Sequence, residues 1–338
     1  MRLQADRTRV ILLTLAAAAM AVSCGGSPHE GEHYVLVSNN IKLPYWQEAN
    51  AGLSDAIRQM GLGVTADMVG PDTFAVNDEL DAFNKAVAAH PTGILVSPAK
   101  ADLFKNPIQD AVSAGIPVIC IDSDAPGSGR LAFIGTDNFR AGVQSGTRMA
   151  QVLNGAGDVV VITVPGQLNL DERLRGVKEA FSSSPKIRLL QVIDDQGDAR
   201  KANDAISDLL GKKTKLDGIL CLEASGGSGA GEALHRLNLD GKIPIVAMDK
   251  DQETLDFISS GAIVASIAQK PYTMAFYGVR LLDDLHHNAV HEFTNWRTAP
   301  ASPTPARIDT GIGIVTKDNL QAYEDAAKGY TKPPGSLQ

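Results

Sequence analysis

The chain has 338 residues, 44% of them apolar and only 5% aromatic, and carries a formal net charge of −8. Length and composition fit a globular α/β protein with room for two domains of ordinary size. So large an excess of acid excludes binding to nucleic acid or to an anionic membrane surface by charge.

The first element is a leader. Arg2, Arg7 and Arg9 precede an uncharged apolar run from Ile11 to Ala21. That run is about half the ~20 residues a bilayer span needs, so residues 1–23 read as an export signal and not a permanent anchor. The leader holds three Arg and one Asp, and without it the net charge is −10. The small residues Ala21-Val22-Ser23 before Cys24 resemble a bacterial lipobox, in which Cys24 is lipidated and becomes the mature N-terminus. The alternative is an ordinary signal peptide cleaved nearby. Either places the remaining chain in the periplasm or on the cell surface, which excludes most ATP- and NAD-dependent enzymes. Residues 24–32 then read as a polar tether.

Beyond the tether, Tyr34–Val37 is apolar throughout, as a strand covered on both faces is. A helix follows with Pro44 in its first turn, a stripe of Trp46, Ala49, Leu53, Ile57 and Met60, and Gly61 at its stop. Strands are predicted next at Val64–Met68, Gly93–Val96, Val118–Ile121 and Leu131–Ile134, with helices at Ala75–Ala89, Ala101–Ala114 and Asn138–Asn154. A second set of strands falls at Val159–Thr163, Leu189–Ile193, Gly218–Leu222, Ile245–Met248 and Val264–Ile267. This alternation predicts an α/β protein of two Rossmann-like lobes, each a doubly wound parallel sheet. Thr298–Pro305 reads as a Pro-rich surface loop and Gly329–Gln338 as a disordered tail. Cys120 and Cys221 lie inside apolar runs and read as free buried thiols, on strands of different lobes and too far apart for a disulfide.

Parallel sheets bind ligands just beyond the carboxyl ends of their strands. The residues predicted there are Asn39, Asn40, Ser97, Asp122, Ser123, Asp124, Glu223, Asp249 and Gln269, with Tyr45 and Trp46 beyond the first strand. Carboxylates and amides satisfy adjacent hydroxyls in pairs, and flat rings cover C–H surface, which is the chemistry a sugar requires. Each residue alone also suits a helix cap. Their number across two sheets favours a polar ligand.

Several segments carry a family resemblance. They are Pro44-Tyr45-Trp46, Ile116-Pro117-Val118-Ile119-Cys120-Ile121-Asp122, Ile134-Gly135-Thr136-Asp137-Asn138, and Glu172-Arg173 with Gly176. Val246-Ala247-Met248-Asp249 and Ser266-Ile267-Ala268-Gln269-Lys270-Pro271 complete the set. In this order the chain resembles the ribose/galactose-type periplasmic sugar-binding proteins of ABC transporters, from about His33 to Tyr323. The resemblance implies the type I periplasmic binding protein fold, two lobes joined by a hinge of three crossovers. They would fall near Thr136–Asn138, Gln269–Pro271 and Gly311–Gly313. It implies lobes of 33–136 plus 270–311 and 137–269 plus 312–328. It further implies a monomer without cofactor or metal that holds a monosaccharide and passes it to a membrane permease. Asn39, Tyr45, Trp46, Asp122, Ser123, Arg173, Glu223, Asp249 and Gln269 would contact the ligand, with Arg173 gripping two of its oxygens.

Two departures bear on the ligand. Ser123 stands where the family commonly has Arg, followed by Asp124, and Glu223 stands where a ribose binder has Asn. The acid-rich pocket admits an amino sugar beside a pentose or hexose, and Asp122-Ser123-Asp124 also resembles binders of a furanose signal. A sensor subunit for a chemoreceptor or kinase is therefore an alternative, and a glycoside-processing enzyme with Asp122 and Glu223 as acid and base is a weaker one. The run Gly226–Gly231 fails the spacing of a dinucleotide fingerprint and reads as a glycine-rich helix entry. His287 and His291 read as one solvated helix face beside His286, with no acidic partner to make a zinc site.

Overall fold

The computed structural model describes residues 29–330. The predicted leader, Cys24 and residues 331–338 of the predicted tail lie outside them. In chain order, β1 (Glu32–Val37), α1 (Pro44–Met60), β2 (Val64–Val69), α2 (Val76–Ala88), β3 (Gly93–Val96), α3 (Ala101–Ser113), β4 (Val118–Ile121) and β5 (Ala132–Gly135) come first. Then follow α4 (Asn138–Val152), β6 (Ala156–Thr163), α5 (Leu168–Ser182), β7 (Lys186–Asp194), α6 (Ala199–Gly211), β8 (Gly218–Cys221), α7 (Ala224–Arg236), β9 (Ile245–Met248), α8 (Gln252–Ser260) and β10 (Ile263–Ala268). The chain ends with α9 (Pro271–His286), a 3-10 turn at His291–Asn295, β11 (Arg307–Asp309), β12 (Gly313–Val315) and α10 (Leu320–Tyr330).

These strands form two six-stranded sheets, in the orders β11-β5-β4-β3-β1-β2 and β12-β10-β9-β8-β6-β7. Among the described strands every neighbouring pair is parallel except β10–β12, whose antiparallel pairing departs from the all-parallel expectation. The continuous apolar strands follow from burial on both faces. Leu36, Leu95, Ile119 and Ile121 face α1 and α9, while Val35, Ile94, Val118 and Cys120 pack on α2 and α3. The second sheet is covered likewise, by α4 and α5 on one side and by α6, α7 and α8 on the other. Cys120 and Cys221 are buried free thiols on β4 and β8. The chain passes between the sheets at 136–137, at 269–270 and at 310–312, the last containing Gly311 at φ 72°.

Close helix approach positions the site. A Cβ on Gly142 of α4 would collide with the Arg173 carbonyl of α5, and one on Gly176 with the Phe139 carbonyl. The two helices therefore meet backbone to backbone, one turn from the Arg173 side chain. The glycine run 226–231 forms the buried first turns of α7, as a helix entry.

Two sequence expectations change. Gly329 and Tyr330 continue the backbone of α10 and do not belong to a disordered tail. His287 and His291 do not share a helix, because α9 ends at His286 and His291 opens the 3-10 turn. Nor does His287 lack an acidic partner: its Nε2 lies 2.9 Å from Glu32 and 3.4 Å from Asp283.

The α4–α5 contact is testable. Gly176→Ala is expected to lower unfolding free energy in urea by about 1–3 kcal/mol, as overpacking does. Gly211→Ala, where an added Cβ meets open space at the end of α6, is expected to stabilise by up to about 1 kcal/mol.

A polar cavity between the lobes

Strands β4 and β9 hold equivalent places in the two sheets, and each runs directly into an aspartate in the left-handed region, Asp122 at φ 61° and Asp249 at φ 66°. Asp tolerates this conformation better than most residues. Each backbone N–H closes its ladder, to Ile134 O at 3.2 Å and to Ile267 O at 2.9 Å. Both side chains line a cavity between the lobes. Asn39, Tyr45, Trp46, Arg173, Glu223 and Gln269 line it too.

Arg173 is the cation at the centre, only 1% exposed. Its Nε donates to Asn138 Oδ1 at 2.8 Å, Nη1 to the Leu222 carbonyl at 2.8 Å, and Nη2 to Gln269 Oε1 at 2.6 Å. Three of its five N–H bonds are thus committed to acceptors of the protein. Gln269 passes the order on, its Nε2 donating to Asp249 Oδ1 at 3.1 Å. Across the cavity, Asp122 accepts from Tyr45 Oη at 2.7 Å, Ser97 Oγ at 3.1 Å and Asn169 Nδ2 at 3.2 Å. Asn169 lies on α5, so this last bond joins the two lobes. Lys250 pairs with Glu48 and Arg307 with Glu172, at 3.7 Å in the second case, and both pairs also span the lobes. Burial pushes both aspartic carboxyls up, Asp249 to about 7, while the Arg173 guanidinium pulls them down.

The aromatic pair sits edge to face, with centroids 5.2 Å apart. Each ring lines the cavity and uses its polar atom on a neighbour: Tyr45 on Asp122, and Trp46 Nε1 on Asn39 Oδ1 at 2.9 Å. Glu223 caps α7, accepting from the backbone N–H of Ser225 at 2.6 Å and of Gly226. Burial, then the neighbouring Glu223 charge, pushes the Asp195 carboxyl up to about 10.

Three readings change here. Ser123 does not line the cavity; its hydroxyl is buried without a hydrogen-bond partner. Asp124 also lies outside, held by Arg130, with Nη2 to Oδ2 at 2.6 Å. With Asp122 fixed by three donors and Glu223 turned to its own helix, these two do not form the acid–base pair of a hydrolase. The sequence reading also missed Phe74, Gln167 and Asn169, which line the cavity. Asn169 precedes Arg173 by four residues on α5 and shares its helix face, a signal present in the sequence. Phe74 comes from the β2–α2 loop, where no strand-end pattern marks it.

Residues 34–288 match a family model described as a periplasmic binding protein domain. The chain belongs to the periplasmic binding protein family. It is 23% identical to the D-allose-binding periplasmic protein of Escherichia coli over 74% of this chain and 83% of that one. A sugar ABC transporter sugar-binding protein from Bacillus halodurans is 34% identical, covering 86% of this chain and 99% of its own at a TM-score of 0.74. A solute-binding protein from Burkholderia graminis in complex with D-arabinose is 26% identical, covers 88% and 99%, and has a TM-score of 0.79. The XylFII–LytSN complex contains a chain 26% identical that covers 85% and 98%, with a TM-score of 0.76. These matches share the two-lobed fold of the periplasmic binding protein family, whose members work outside the cytoplasm.

The raised carboxyls make closure sensitive to pH. Wet carboxyls ionise near pH 4, whereas burial between the lobes holds Asp249 at about 7. Between those values the closed form binds more protons than the open one, so empty closure becomes less favourable as pH rises, by up to about 1.4 kcal/mol per unit, and levels off above. Small-angle scattering of the unliganded protein is expected to give a smaller radius of gyration at pH 5 than at pH 8. Asp249→Asn is expected to remove much of that difference.

Proposed function

We propose that the protein captures a neutral monosaccharide, a pentose or hexose, between its lobes and delivers it to an ABC-transporter permease, tethered to the membrane by lipid on Cys24. The observation that carries the reading is the enclosed ring of Asp122, Arg173, Asp249 and Gln269 beside aromatic side chains. Carboxylates accept from paired hydroxyls, the guanidinium donates two N–H bonds to ring or hydroxyl oxygens, and Phe74 and Trp46 offer apolar faces. No bond is made or broken. The names of similar proteins, for D-allose and D-arabinose, favour a small neutral sugar. An amino sugar loses ground, because Asp124 is engaged outside the cavity and both Glu223 oxygens serve its own helix.

A second reading makes the same closed form a sensor subunit that docks on a membrane receptor. The likeness to a chain of the XylFII–LytSN complex favours it. Loss of sugar uptake in a deletion strain, with sugar-induced transcription intact, would support transport; the reverse pattern would support sensing.

Calorimetric titration with neutral pentoses and hexoses, each beside its amino counterpart, tests the ligand class. Saturable binding of a neutral sugar at one site is expected, and binding confined to amino sugars would overturn the reading. With that ligand, Phe74→Ala is expected to weaken binding by about 1–3 kcal/mol, or roughly 5- to 150-fold. Arg173→Lys is expected to weaken it as well, since an ammonium cannot reproduce the fork.

A further inference from the structure

We propose that His29, Glu32, Asp283 and His287 form a binding site for a divalent transition-metal ion of the zinc class, on the first lobe and remote from the sugar cavity. The residues come from the turn before β1, the start of β1, and the last turn and cap of α9. His29 Nδ1 lies 3.0 Å from Glu32 Oε2, 3.3 Å from Asp283 Oδ1 and 3.2 Å from His287 Nε2. His287 Nε2 lies 2.9 Å from Glu32 Oε1 and 3.4 Å from Asp283 Oδ1. One donor atom from each of the four residues falls within 4.8 Å of all the others. Four ligand atoms about 2.0–2.1 Å from a tetrahedral zinc ion stand about 3.3–3.4 Å from one another. The nearest spacings here, 2.9 to 3.4 Å, come close to that edge length with both Glu32 oxygens taking part, and the set with one atom from each residue spans up to 4.8 Å, so the side chains would draw together around an ion.

Hydrogen bonds already join the groups, His29 Nδ1 with Glu32 Oε2 and His287 Nε2 with Glu32 Oε1. An imidazole nitrogen offers either one hydrogen or one lone pair, yet His29 Nδ1 and His287 Nε2 each face three polar atoms at bonding distance, including one another. A cation at the centre engages all four donors at once. Two imidazoles and two carboxylates are ligands that zinc accepts, and the two negative charges balance a divalent ion. The side chains are largely shielded, Glu32 at 6% exposure, Asp283 at 13% and His29 at 14%, while His287 at 35% leaves a way in. An outer partner is present as well. Tyr34 Oη donates towards Glu32 Oε2 at 3.2 Å and Asp283 Oδ1 at 3.5 Å, the arrangement that orients metal-bound carboxylates.

Glu32 begins β1 and the sugar cavity lies past its other end, so the ion would not touch the ligand. It would pin the segment that precedes β1 onto α9, the helix by which the chain returns to the first lobe. The proposal is independent of the sugar reading.

The test is a zinc titration of the full-length protein after chelator treatment and dialysis, with bound metal read by equilibrium dialysis and elemental analysis. One zinc per chain is expected. His29→Ala and His287→Ala are each expected to weaken binding at least tenfold, and the double variant to lose it, whereas His235→Ala, on the far lobe, leaves it unchanged. Asp283→Asn keeps the side-chain shape and gives an independent reading, again at least tenfold weaker. Absence of stoichiometric zinc binding overturns the proposal, as does a bound zinc that survives in the double variant while its circular dichroism matches the parent's.

Discussion

A guanidinium held almost wholly out of water must be ringed by acceptors, and Arg173 imposes that demand on everything around it. Its partners are a side chain from α4, a carbonyl at the end of β8 and an amide at the end of β10. One residue thus fixes the relative register of three elements of the second lobe. Glycines at 142 and 176 let α4 and α5 come close enough for Asn138 to reach it. The same charge makes two buried carboxylates tolerable, one from each lobe. Without it, these two buried carboxylates would lose their principal counter-charge.

Much of this architecture was legible. Strands β3, β4 and β9 fall where apolar runs place them, because both faces of each sheet are covered and the sequence need not alternate. Asp122 and Asp249 could be found because they end such runs, and the sheet topology puts strand ends at the cleft. Residue type was easier to read than direction. Glu223 was visible as an acid after a strand, but whether it faces a ligand or its own helix depends on the geometry of α7. Ser123 was misplaced because its adjacency to Asp122 does not say which of the two side chains faces the cleft. Phe74 was missed because a loop delivers it. His287 has one acidic partner a helical turn back, at Asp283, whose spacing the sequence does show, and another 255 positions away, at Glu32. No local pattern encodes a contact of that range.

The approximate twofold likeness of the lobes is broken at their edges. β11 joins the first sheet parallel to β5, and β12 joins the second antiparallel to β10, within a few residues of one another. This short connection, with Gly311 in it, ties the two edges together next to the other two crossings. All three strands of chain between the lobes therefore lie on one side of the cleft, leaving the opposite side to open.

The interleaving of the two sheets also sets an order in time. A ribosome delivers β1 to β5 first, yet the face formed by Leu36, Leu95, Ile119 and Ile121 waits for Met274, Val279 and Leu282 of α9 to cover it. By then every strand from β6 to β10 has been made. The first lobe to be synthesised thus cannot close its core until every parallel strand of the second has been made, and its apolar surface stays bare through most of translation, the condition under which chains aggregate or are held by chaperones. A chain that stops before residue 271 lacks a first lobe, although the missing residues come after nearly all of the second.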